Sequence, residues 1–154
     1  ALLIERDISA SAALVWEWMT DPKRRPQFVP GVLRVDEIVS DGRRGVGTTN
    51  HCMHGDGVTL EEILDWRPFD YFTLRTTLPN GLSAITMEEL VETEGSTHAI
   101  VRVAKQRSAR DRAAFAAMGD VIAGMYEASL AQLAQLVSDA PDGGVPEPPE
   151  AIAH

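Results

Sequence analysis

Between Val32 and Lys105 the chain is a train of brief runs rich in Val, Ile, Thr and Phe, cut at nearly even intervals by turn residues. That cadence restricts the fold more than any other feature, because runs of this length joined by such short connections pair as antiparallel neighbours. Asp41-Gly42, Gly55-Asp56-Gly57, Pro68-Phe69-Asp70, Pro79-Asn80-Gly81 and Glu94-Gly95-Ser96 divide the stretch. The strands they define are Val32–Val39, Gly47–Met53, Val58–Trp66, Tyr71–Leu78, Ser83–Glu92 and Thr97–Lys105. Leu2–Ile8, partly alternating, supplies a further strand and brings the total to about seven.

Two short helices fit between the first two strands. Ser9-Ala10-Ser11 can cap a helix over Ala12–Met19, which Thr20-Asp21-Pro22 ends, and Lys23–Phe28 can form a second turn before Pro30-Gly31. After the last strand, Ser108-Ala109-Arg110-Asp111 resembles a capping box, and Ala113–Val137 reads as one helix with no internal proline. Its stripe of Met118, Ile122, Met125, Ser129, Leu133 and Leu136 is built to pack on a sheet. The expected fold class is α+β, a curved seven-stranded antiparallel sheet gripping a long C-terminal helix. Residues 1–138 are expected to form the ligand-binding domain. Residues 139–154 carry four of the nine prolines, Gly143-Gly144 and four acids, and are expected to be a tail or linker.

Composition narrows the class. A net charge of −9 argues against a general nucleic-acid binder, which needs a surplus of Lys and Arg on one face. The clusters Lys23-Arg24-Arg25, Arg43-Arg44 and Lys105–Arg112 read as solvated loops or helix ends. Cys52 is the lone cysteine, which fits a reducing compartment, and no apolar run approaches the roughly 18 residues of a membrane span. A cytoplasmic location is expected, with either a monomer or a homodimer allowed. The chain opens at Ala1 without a Met, which leaves room for a larger parent protein.

One helix stripe cannot fill the concave side of a curled seven-stranded sheet, so a cavity is expected, with Met118 and Met125 as an adaptable apolar wall. The opposing arrangement has Trp66, Phe69, Phe72 and the leucines filling the space. Several phrases resemble the START-related, helix-grip superfamily of birch-pollen-allergen type, in particular its polyketide cyclase/dehydrase-like (SRPBCC) members. They are Asp7-Ile8-Ser9-Ala10-Ser11-Ala12 with Val15-Trp16, Thr20-Asp21-Pro22, Gly45-Val46-Gly47-Thr48, Trp66-Arg67-Pro68-Phe69, and Leu90-Val91-Glu92 leading through Gly95 to Thr97. The likeness spans about Leu2 to Val137. It implies the helix-grip fold and apolar ligands such as lipids, polyketides or hormones, and it carries no family-wide catalytic motif.

The residues themselves offer three sites. His51-Cys52-Met53-His54-Gly55-Asp56-Gly57 gathers two imidazoles, a thiol and a carboxylate. On a regular strand His51 and His54 face opposite ways, so zinc would require a bulge and no metal is expected; a rim imidazole acting as acid or base is the milder alternative to an idle hairpin histidine. Glu88 lies two residues before Leu90 and shares its face, which aims a carboxylate into the cavity unless a bulge turns it out, and Arg75 and Arg102 could pair with it. Tyr126 beside the helix stripe could offer its hydroxyl. Cys52 reads as a buried small residue, and Trp16 and Trp18 as packing. Gly42-Arg43-Arg44-Gly45-Val46-Gly47 reads as a hairpin turn, since it leads into no helix.

The candidate catalytic residues are thus Glu88, His51 and His54, and the candidate ligand-binding residues are Trp66, Arg75, Arg102, Met118, Ile122, Met125 and Tyr126. No cofactor is required. Three functions compete: carrier or sensor of a small hydrophobic molecule, an enzyme of cyclase or dehydratase type, and a regulatory or co-chaperone-like module acting through its surface.

Overall fold

The computed structural model describes residues 1–39, 42–55 and 57–138; the expected tail at 139–154 and the turn residues Asp41 and Asp56 lie outside them. The elements in chain order are β1 (Leu2–Ile8), α1 (Ala12–Thr20), α2 (Arg25–Phe28), β2 (Val32–Ile38), β3 (Thr49–His54), β4 (Gly57–Arg67), β5 (Tyr71–Thr77), β6 (Ser83–Thr93), β7 (Ser96–Val103) and α3 (Ala109–Ser138). All seven strands form one antiparallel sheet in the order β1-β7-β6-β5-β4-β3-β2. Only β1 departs from sequential pairing. It sits at the far edge beside β7, which leaves room for α1 and α2 to cross the concave side before β2 begins.

Local chemistry sets the helix ends. The Ser11 hydroxyl accepts the Leu14 N–H at 3.2 Å, and the Asp21 N–H closes the C-terminus of α1 on the Glu17 carbonyl. Ser108 Oγ accepts the Asp111 N–H at 3.0 Å, so α3 starts four residues before the expected Ala113. The residues that α3 buries are Phe115, Ile122, Ser129, Leu130, Leu133 and Val137, whereas Met118 and Leu136 of the expected stripe are half-buried.

The apolar interior falls into two parts. Ile8, Leu14, Val15, Trp16, Ile63, Phe72, Leu90, Val101, Leu133 and Val137 pack at the end where α1 crosses α3. Ala84, Val103, Phe115 and Ile122 form a smaller cluster near the start of α3. The Trp16 ring anchors the first part, 5.0 Å from Trp66 and 5.4 Å from Phe72 in edge-to-face contact. One strand irregularity directs this packing. Between Ile63 and Asp65 the β4 register slips against β5, so Ile63 and Trp66, an odd and an even position, both point inward.

Leu133 is fully buried where α3 meets the sheet. Leu133→Ala should lower unfolding free energy by about 2–5 kcal/mol in urea titrations; a loss well under 1 kcal/mol would mean that the helix is not held by this face.

Candidate functional site

Between the two apolar clusters the sheet and α3 fail to meet, and the gap is a cavity of about 120 Å³. That is several times the roughly 10–15 Å³ that a single water needs. Alternation on the strands selects the lining: Cys52 and His54 from β3, Thr59 and Glu61 from β4, Thr76 from β5, and Ala84, Thr86 and Glu88 from β6. The α2 corner adds Arg25, Phe28 and Val29, and α3 closes the far side with Phe115, Ile122, Met125, Tyr126, Ser129, Leu130 and Leu133.

At the α2 end the wall carries three charged groups. Arg25 Nη1 donates to both Glu61 oxygens, at 3.0 and 3.1 Å, and the two side chains are only 13% and 11% exposed. Burial alone would pull the Arg25 pKa down, but the adjoining negative groups, Glu61 first among them, reverse this and leave it raised, so the guanidinium stays charged. The same nitrogen lies 3.9 Å from Cys52 Sγ, and burial pushes that thiol up to about 12, which rules out a thiolate nucleophile at neutral pH. Glu88 has no hydrogen bond from any described residue. Enclosure raises its pKa to about 7, with Glu61 adding to the shift and Arg25 opposing it. Tyr126 is raised as well, by burial first and then by the Glu88 charge, and stays a neutral donor.

The structure sorts the candidates named from sequence. Glu88, His54, Ile122, Met125 and Tyr126 line the cavity. His51 is paired in register with Asp36 and Leu60, faces the outer side of the sheet and does not join His54. Arg75 and Arg102 do not pair with Glu88. Strand alternation puts them on the outer face, where Arg75 meets Glu62 at 3.7 Å and Arg102 meets Glu89 at 3.1 Å. The β4 slip turns Trp66 into the aromatic cluster of Trp16, beside a separate void of about 10 Å³ rather than the main cavity. Met118 packs behind the Phe115 and Ile122 wall, its sulfur 4.0 Å from Asn80 Nδ2. Among the described residues no three His, Cys, Asp or Glu side chains converge as metal ligands.

Arg25, Glu61 and Phe115 were not among the sequence candidates. Arg25 sits in a basic triplet that reads as solvated, and Val58 and Leu60, exposed on the outer face, make the alternation of β4 read as if Glu61 pointed out. Only Phe115 carried a usable signal, lying seven residues before Ile122 on the same helix face.

A curved antiparallel sheet, one long gripping helix and an apolar cavity with an enclosed ionisable pole define a helix-grip cavity protein. The chain belongs to the polyketide cyclase / dehydrase and lipid transport family, whose pattern matches residues 4–138. Among solved structures it is similar to protein MLL2253 from Mesorhizobium loti, at 19% identity and a TM-score of 0.71 over 90% of this chain and 97% of that one. It is also similar to DynU16, a protein in the dynemicin biosynthetic locus, at 18% identity and a TM-score of 0.67, covering 94% of this chain and 49% of DynU16. CalU16 from Micromonospora echinospora matches at 18% identity and a TM-score of 0.65, over 90% and 74% of the two chains. These likenesses show the fold. No curated protein matches the sequence significantly.

The Glu88 carboxyl makes stability pH-dependent. Its folded-state pKa stands above its ordinary 4.5, so between about pH 4.5 and 7 the folded chain keeps a proton that the unfolded chain has released. Its contribution is therefore intact below that window and is lost as pH rises through it. Glu88→Gln should remove a loss on the order of 2 kcal/mol between pH 5 and 8 in urea titrations; parallel curves for the two proteins would contradict the burial of this carboxyl.

Proposed function

We propose that the chain binds a small, largely apolar molecule in its cavity, with the molecule's polar group set against Arg25, Glu61 and Glu88. The observation that carries this reading is the combination of an apolar wall with a few convergent polar groups at one end, the usual composition of a small-molecule site. Such a site works by exclusion of water from the body of the ligand and by hydrogen bonds that fix its head. The family's description, which names lipid transport beside catalysis, supports the same reading. An unfilled interior gives no support to a module that acts through its surface alone.

Ala84 contributes a small side chain to the wall. Ala84→Phe, which would project a ring into the cavity, is expected to cut the affinity for an apolar fluorescent probe at least about tenfold while the protein still unfolds cooperatively. Undiminished probe binding would place the ligand elsewhere.

A second reading, cyclase or dehydratase, is favoured by one specific feature: Glu88 gains and loses a proton near neutral pH beside a permanently charged guanidinium. In a dehydration the Glu88 carboxylate would take a proton from the carbon next to a carbonyl. The electron pair of that C–H bond would form the new double bond, and the proton would be returned to the departing hydroxyl, released as water. Arg25 would steady the negative charge that gathers on the carbonyl oxygen. For a β-hydroxy-ketone that wild type turns over, Glu88→Gln should lower kcat by about 100-fold or more; equal rates would remove Glu88 from the reaction.

A further inference from the structure

The charged groups around the cavity do not balance. Arg25 is the one cation on its wall among the described residues, and its Nη1 is already given to Glu61 from both sides of the carboxylate. Glu88 is then a second carboxyl on the same wall, with no hydrogen bond from any described residue and no cation of its own. Of the groups around it only Arg25 opposes its charge, and that single guanidinium is already paired with Glu61. Elsewhere along the cavity lining stand the neutral Cys52 and the rim imidazole of His54 from β3 and the neutral Tyr126 hydroxyl from α3, and the residues paired with Glu88 in register are the apolar Phe72 and Val101. When Glu88 is ionised the wall holds two carboxylates against one guanidinium.

From this imbalance we propose that the cavity selects a ligand whose apolar body carries a protonated amine, received by the Glu88 carboxylate as its missing counter-ion. The inference rests on the ligand-binding reading above and specifies the head group of that ligand. An ionised carboxylate in an enclosed space is costly unless paired, and an ammonium both pairs it and restores neutrality to the cavity. A fatty acid or other carboxylate adds a third negative charge, and its nearest cation is already engaged. A ketone meets Glu88 only when Glu88 is protonated, as a neutral donor, and an alcohol can donate to the carboxylate but leaves its charge uncompensated. The raised pKa of Glu88 fits the same picture, since without a partner the carboxyl keeps its proton to about pH 7, and an arriving cation favours its ionised form.

The proton balance gives each head group a distinct pH signature. Binding an ammonium fixes Glu88 in its ionised form, so amine affinity rises with pH through about 7. A hydrogen-bond acceptor needs the proton on Glu88, so its affinity falls over the same interval.

Octylamine, octanol and octanoate share one tail and differ only at the head, and calorimetric titration of the full chain with each, at pH 5.5 and 8.5, reads the choice. Octylamine should bind at pH 8.5 about tenfold or more tightly than the other two, should weaken at pH 5.5, and should lose its advantage in Glu88→Gln. Equal or tighter binding of octanol or octanoate at pH 8.5 would overturn the amine assignment and leave the ligand-binding reading in place. No binding of any of the three, with the apolar probe also failing to bind, would overturn both. Because the glutamine variant removes the charge but keeps the shape, its folded state can be checked by its unfolding midpoint, and Glu88→Asp serves as a second variant that should retain the preference for the amine.

Discussion

A helix is about 10 Å across with its side chains, whereas seven strands set nearly 5 Å apart make a surface about three times as wide. No single helix can cover such a surface. Every other property of the interior follows from this mismatch. Where α1 crosses α3, the extra layer supplies Leu14, Val15 and Trp16, and the space closes except for a void of about 10 Å³ beside Trp66. Toward the start of α3 only the short α2 helps, and there the two layers part.

The parting decides which side chains acquire chemistry. On a strand that is wholly covered, an inward glutamate would be excluded by the cost of burial, yet Glu61 and Glu88 are both retained. Glu61 is kept by Arg25, reaching over from α2. Glu88 is kept at the expense of a carboxyl that holds its proton to about pH 7, and that adjustment gives the cavity a group able to exchange protons near neutrality.

The architecture was largely legible because turn chemistry and strand alternation are local. Gly95 and Asn80-Gly81 mark hairpins without reference to the rest of the chain, and the face of Glu88 follows from that of Leu90 two positions on. The site was only partly legible. Arg75 and Arg102 sit on the strands that flank β6, three residues and one residue from the positions opposite Glu88, and this odd spacing turns both to the outer face. Trp66 was redirected by a slip in β4 that no residue type announces, since Leu64 is an ordinary strand residue. Arg25 faces inward because a four-residue helix happens to turn there, and the orientation of so short an element is set by what it packs on.

That dependence has a mechanical side. A four-residue helix has almost no cohesion of its own, and α2 has Phe28 in the core and Arg25 on Glu61 as its attachments. The ion pair that furnishes the polar end of the chamber is thus also the rivet that holds one of its walls. A guest that competes for Glu61 loosens the very segment that encloses it, so occupancy and enclosure are governed by the same few atoms.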